Sequence, residues 1–322
     1  MNTYWIRALR LRWLMLMLAS VFVAVAVVYG QINGGGQDQE EGLAQLGMWI
    51  TFAVFMAMYT LTFNLTNVYN TYHHWLMHSR RTADADRVKK MPLPVVKASI
   101  RVFGVLTILS LIALMVQANI LITLLMAVVY GALGYAFSCP KEKSLTMNYM
   151  GGVAVFVLFG MGPVMFLSLL GGIDITSLIV LLSVSMGILA YDVYLMGNLG
   201  KKDELEVVKR RDLTTVLHFD SVVTLHKWLG LVAMVCAVQV LLSDFVAITI
   251  IPGVAYLVLH FTFAGMLMPT KWIRQRVAKY TAVAAISFGI LLAVGIIFST
   301  ILGGRPIPRA DAPWFAIPQL NS

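Results

Sequence analysis

Residues 64–74 read Asn64-Leu65-Thr66-Asn67-Val68-Tyr69-Asn70-Thr71-Tyr72-His73-His74, and they follow directly on an apolar run from Thr51 to Leu61. Polar side chains at the end of a membrane helix are costly to place in lipid, so they face a cavity or the bundle interior and mark a site. Asn64, Asn67 and Asn70 recur every three residues, which sets them on one helical face. Their amide carbonyls can ligate a cation or accept from a substrate hydroxyl; the alternative is a polar helix end satisfied by neighbouring helices. A basic segment follows, with His78, Arg80, Arg81, Thr82, Asp84, Asp86, Arg87, Lys89 and Lys90, and it ends at Met91-Pro92-Leu93-Pro94.

The rest of the chain reads as walls around that stretch. Of 322 residues, 59% are hydrophobic and 12% charged, with a mean hydropathy of +0.82. A soluble domain is nearer 45–50% apolar and about 25% charged, so this composition is that of a polytopic membrane protein. The net charge of +9 does not point to nucleic acid, because the basic residues sit between apolar spans rather than on one soluble face. Cys139 and Cys236 lie at or within apolar segments, far apart, and read as buried packing residues. Arg7, Arg10 and Arg12 precede an apolar run to Gly30 with no compelling small-residue cleavage site, so that run reads as a first transmembrane helix rather than a secretory signal.

A membrane span needs about 20 apolar residues. Stretches near 13–30, 47–67, 99–117, 120–138, 151–170, 176–196, 228–244, 246–268 and 280–302 meet or approach that length, which predicts one all-α domain of nine transmembrane helices over 1–322. Of the 24 Lys and Arg, 22 fall in the N-terminal segment and in alternate loops, while the opposite loops carry Asp38, Glu40, Glu41, Asp174 and Asp244 and no basic residue. The excess of positive charge marks the cytoplasmic side. The N-terminus is therefore expected inside, and the tail 303–322 outside.

Two loops on the basic side carry most of the chemistry. The second runs Gly197-Asn198-Leu199-Gly200-Lys201-Lys202-Asp203-Glu204-Leu205-Glu206-Val207-Val208-Lys209-Arg210-Arg211-Asp212. Carboxylates beside Lys and Arg at a membrane surface can share Mg²⁺ with a diphosphate, since Mg²⁺ is usually held by one or two carboxylates plus phosphate oxygens. The basic side chains then neutralise the remaining phosphate charge. The alternative is a solvated loop helix laced by pairs such as Glu206 and Arg210. His74 and His78 stand four apart, a spacing that can bind a metal or haem, but no equally placed partner occurs elsewhere. Inside the spans only Asp192 and His260 are ionisable, too few for a transporter's relay, and His260 reads as a packed, hydrogen-bonded histidine.

The pattern resembles the UbiA superfamily of intramembrane prenyltransferases, most nearly its 1,4-dihydroxy-2-naphthoate branch in menaquinone biosynthesis. Asn64 to Tyr72 looks like the family's Asn-x-x-Asn-Asp-Tyr-x-Asp-Tyr segment, and Thr82 to Val88 with Met91-Pro92-Leu93-Pro94 looks like its following linker. Asn198-Leu199 with Asp203, then Leu213-Thr214-Thr215-Val216, is similar to the second motif and its tail. The departures are specific: Val68, Thr71 and Trp75 stand where the family has metal-binding aspartates, and Val207 stands four residues after Asp203, with Glu206 one place early.

The resemblance implies a nine-helix bundle in a bacterial-type plasma membrane, with its active loops on the cytoplasmic side. It implies transfer of a polyprenyl group from its diphosphate to an aromatic acceptor, with Mg²⁺ as cofactor. It implies Asp203, with Glu206 one place early, as catalytic metal ligands; Asp84 and Asp86 would substitute for the missing first-motif aspartates as metal ligands if their loop folds back over the cavity. Lys201, Lys202, Arg210 and Arg211 would hold phosphate; Asn64, Asn67 and Tyr72 would shape the substrate site. A non-catalytic relative that binds an isoprenoid or quinone, or supports a membrane partner, is the alternative that the altered first motif leaves open.

Overall fold

The computed structural model describes residues 9–33, 39–78, 92–139, 144–145, 149–207, 211–241 and 246–301. Those residues form helices and no strands. In chain order they are α1 Leu11–Asn33, α2 Gln39–His78, α3 Leu93–Gln117, α4 Ile120–Ser138, α5 Gly151–Leu170, α6 Ser177–Leu199, the short α7 Lys202–Val207 and α8 Leu213–Val216, then α9 Phe219–Leu241, α10 Val246–Gly265 and α11 Lys271–Ile301.

Eight of these helices are long and apolar enough to cross a membrane; the apolar stretch Ile250–Gly265 of α10 is shorter. Each of the nine stretches expected from the sequence falls on one of these helices. The boundaries differ most where polar residues extend a helix past its apolar run. Helix α2 continues without a break through Asn64, Asn67 and Asn70 to His78, and α9 starts at Phe219 rather than near 228. The segment expected as a long loop between α6 and α9 instead folds locally into α7 and α8.

Local chemistry sets several of the ends. Pro92 precedes α3 and Pro94 occupies its first turn, where a missing backbone N–H is harmless. The Asn119 side chain accepts from the N–H of Leu121 and Ile122 and so starts α4, and Thr176 caps α6 in the same way. Between α5 and α6 the chain turns through Gly172, whose φ of 67° lies in the left-handed region that glycine adopts without strain.

Helix α6 is the axis of the bundle and the most buried of the spans. It packs on α5, α9 and α11, touches α1, and receives both short helices at its C-terminal end. It meets the middle of α5, which widens into a π-helical turn at Phe156–Met161. A Cβ on Gly160 would lie 2.3 Å from the Met186 carbonyl oxygen and 2.5 Å from the Gly187 Cα, so the two backbones meet where neither residue has a side chain. In lipid, where no hydrophobic force draws helices together, such small-residue crossings supply the packing.

Candidate functional site

The C-terminal ends of α2, α4, α6 and α10 and the N-terminal ends of α1, α3, α9 and α11 gather at one end of the bundle, together with α7 and α8. Among the described residues, this is the end that carries the Lys and Arg side chains. Arg274, at the start of α11 and only 6% exposed, donates through one Nη to both carboxylate oxygens of Asp203, at 2.8 and 3.0 Å. Lys271 lies 3.6 Å from Glu204, and Lys202 lies 3.9 Å from Glu206. Three successive carboxylates of α7 therefore each face a cation. Helix α8 is stapled to the end of α6 by Asp212: Oδ1 accepts from the backbone N–H and hydroxyl of Thr214, Oδ2 accepts from Asn198 at 2.9 Å, and the Thr215 hydroxyl closes a capping box.

The first polar stretch is spent largely on neighbours. Asn64 is buried and donates to the Leu9 carbonyl at 3.0 Å, which ties α2 to the segment that starts α1. Among the described residues its Oδ1 has no hydrogen-bond partner and remains an acceptor at this end. Asn70 donates to the Ser138 carbonyl at the end of α4. Lys97 of α3 sits 5.5 Å over the Tyr69 ring, a cation–π contact. On α6, Gly197 leaves room for the Arg12 guanidinium, which a Cβ there would approach to 3.3 Å.

Between α2 and α4 opens a cavity of about 350 Å³. Its mouth is polar, with Thr66, Asn70 and Ser138, and its floor is aromatic, with Tyr59, Phe63 and Tyr130. The floor is held rigid: the Tyr59 hydroxyl donates to the Tyr130 carbonyl at 2.8 Å, and the Tyr130 hydroxyl to the Leu158 carbonyl at 3.2 Å. The two rings meet edge to face with centroids 5.0 Å apart. Gly131 and the exposed Tyr135 also line it, so this largely apolar slot with a polar rim opens at the side of the bundle and suits the hydrocarbon tail of an amphiphile.

The sequence-predicted residues thus divide. Asp203, Glu206 and Lys202 come together on α7 with Arg274 opposite, a partner that sequence reasoning missed because it lies 71 positions away. Asn64 and Asn67 lie on α2. Lys201 precedes α7, and Arg211 is exposed before α8. Asp84, Asp86 and Arg210 lie outside the described residues, as does the side chain of Tyr72. The His74 and His78 side chains lie outside them too. A second cluster went unread as a unit: Asp192 of α6, His226 of α9 and His260 of α10 converge inside the bundle, each at most 1% exposed. Asp192 and His260 stand out in the sequence as ionisable residues within spans; His226 does not, because the apolar stretch of its helix begins near 228, two residues after it.

What the fold and this end define is an all-helical membrane bundle with a polar, ion-paired mouth. No protein-family model matches the sequence, and no curated protein matches it. Solved structures do. The chain is similar to a UbiA homologue from Aeropyrum pernix K1 in its apo form, with a TM-score of 0.57 at 10% identity over 88% of this chain and 97% of that one. It is similar as well to a UbiA homologue from Archaeoglobus fulgidus bound to DMAPP and Mg²⁺, with a TM-score of 0.56 at 14% identity over 91% of this chain and 100% of that one. The fold is therefore that of UbiA homologues along nearly the whole chain.

The α7 donor set is compatible with Mg²⁺ in kind. Asp203 and Glu206 are three residues apart on one helical turn, with side chains 53% and 51% exposed, and they offer the oxygen ligands a hard divalent cation takes. Arg274 and Lys202 are their partners as the chain stands.

Proposed function

We propose that this chain is a member of the UbiA superfamily that transfers a polyprenyl group from its diphosphate to an aromatic acceptor of the quinone-precursor type. The observation that carries the reading is the alternation of carboxylates and cations on α7 and α11, at the polar end of a fold whose solved neighbour is bound to DMAPP and Mg²⁺. In this reading nine helices cross a bacterial-type plasma membrane with the N-terminus and the basic end in the cytoplasm.

The prenyl chain lies along the aromatic floor of Tyr59, Phe63 and Tyr130, which excludes water from the allylic carbon. Lys201, Lys202, Arg210 and Arg211 gather the diphosphate by charge. Asp203 and Glu206, with Asp84 and Asp86 from the segment between α2 and α3, would hold Mg²⁺; when bound it would neutralise charge building on the departing diphosphate. Asn64, whose Oδ1 is a buried acceptor without a partner among the described residues, orients the head group with Asn67 and Tyr72.

A second reading is favoured by one observation: both oxygens of Asp203 are engaged by a nearly buried arginine. That arrangement suits a relative that no longer ionises a diphosphate and binds an isoprenoid or quinone, or supports a membrane partner. A transfer assay on purified protein separates the two, offering farnesyl and longer diphosphates against dihydroxynaphthoate and hydroxybenzoate with and without Mg²⁺. Metal-dependent product supports the enzyme. Absence of product with every pair, beside an active relative prepared in parallel, overturns it in favour of the binding protein.

A further inference from the structure

Asp192, His226 and His260 come from three different helices and meet about 8–10 Å inside the basic end, judged from their positions five to seven residues from the helix ends at 1.5 Å per residue. His226 Nδ1 lies 2.7 Å from Asp192 Oδ1. His260 Nε2 lies 2.9 Å from the His226 carbonyl oxygen, to which only an N–H can donate, so the neutral His260 ring carries its proton on Nε2. Its Nδ1 lone pair then accepts from the Tyr256 hydroxyl at 3.2 Å and lies 3.8 Å from Asp192 Oδ2. Two imidazolium rings with centroids 4.1 Å apart would repel, and one carboxylate can balance only one of them.

Two buried atoms in this cluster are without hydrogen-bond partners among the described residues: Asp192 Oδ2 and His226 Nε2. A buried carboxylate oxygen left unsatisfied costs free energy that a simple structural tie would have avoided. The site is also kept open by deletion of a side chain. A Cβ on Gly230 would lie 2.3 Å from His260 Nε2, so only glycine at 230 lets this ring reach its place.

We propose that Asp192, His226 and His260 form a buried binding site for a divalent first-row transition metal that clamps α6, α9 and α10. One donor atom from each residue lies within 4.8 Å of the other two. Ligands about 2.0–2.2 Å from a tetrahedral ion stand roughly 3.4 Å apart, so small rotations of the rings complete the set. Two imidazoles with one carboxylate suit Zn²⁺ or its neighbours rather than Mg²⁺ or Ca²⁺, which take all-oxygen sets. The Nε2–H of His260 on a backbone carbonyl is the outer contact that orients a metal-ligating histidine. A bound ion takes the His260 Nδ1 lone pair from the Tyr256 hydroxyl, which is left beside the fourth position. With all three ligands sealed from solvent, the ion has no substrate access and its role is structural; it is separate from the α7 carboxylates and independent of whether the chain transfers a prenyl group.

The test uses the full chain, purified in detergent through an affinity tag free of histidine, stripped with chelator and titrated with Co²⁺. The expected result is one Co²⁺ per chain, visible absorption bands of a four-coordinate site, their loss on displacement by Zn²⁺, and a higher Tm with either metal. Asp192→Asn and His260→Gln should lose the bands, whereas Asp203→Asn and the combined His73→Ala, His74→Ala, His78→Ala variant should keep them. Wild-type protein that takes up no Co²⁺ and shows no Tm shift overturns the proposal without recourse to any variant. So does a Co²⁺ spectrum that survives Asp192→Asn or disappears with the His73, His74 and His78 substitutions.

Discussion

Arg274 reaches across 71 positions to Asp203 and holds both its carboxylate oxygens from a single Nη, with the arginine nearly buried and the aspartate half in solvent. The pair fastens the start of the last helix to the short helix that follows the sixth. It also gives Asp203 two competing partners, since any cation bound there must share the carboxylate with the guanidinium.

The unequal burial makes the two halves of the pair unequal in stability. Asp203→Asn leaves a buried guanidinium without its counter-charge, a loss of roughly 3–5 kcal/mol when such a pair is fully buried and less here. Arg274→Met leaves a half-exposed carboxylate that water can solvate, and keeps the apolar stem. Thermal unfolding in detergent should therefore show Asp203→Asn the less stable by about 1–2 kcal/mol; equal losses would mean that the ion pair does not hold α7 to α11.

Activity should follow the α7 carboxylates and not the histidine run. Asp203→Ala is expected to abolish prenyl transfer, while His74→Ala keeps most of it. Measured with the same diphosphate and acceptor, the reverse pattern would remove α7 from the site. Arg274→Met should in addition lower the Mg²⁺ concentration needed for half-maximal rate, because the competing cation is gone.

The α5–α6 crossing should tolerate no side chain. Gly187→Ala would drive a methyl to about the 2.6 Å at which a Cβ there meets the Phe156 ring, and Gly160→Ala would meet backbone that cannot swing aside. Overpacking of this kind costs about 1–3 kcal/mol, and Gly160→Ala should be the costlier. A matched control is Gly131→Ala, where nothing stands within 4 Å and glycine is the poorer helix former. Its Tm should hold or rise.

Gly131 also lines the cavity between α2 and α4. Gly131→Phe is expected to fill part of that space, weaken binding of a long prenyl diphosphate more than tenfold, and leave the fold intact. Fluorescence or radioligand binding reads the first and thermal unfolding the second; unchanged binding would place the hydrocarbon chain elsewhere.

Asp212→Ala removes a helix cap and strands Asn198 at once. A lost cap costs about 1 kcal/mol and a stranded buried amide about as much again. Hydrogen exchange should quicken in α7 and α8 before it changes in α6.

Much of this architecture is legible along the chain because its causes are local. Apolar runs of about twenty residues, alternation of Lys and Arg between loops, Asn119 and Thr176 at helix starts and Pro92 before α3 each act within a few residues, so the order of helices and most of their ends follow from reading in one dimension. What the chain order does not carry is the rotation of each helix about its axis. Spans that are apolar almost all round give the 3.6-residue period little contrast, so nothing in Asp203 names Arg274, and nothing in Asp192 names His226. Those pairings were decided by the glycine crossings and the close fit of α6 against α5, α9 and α11, which set the azimuth of every helix and with it the partner of every buried charge.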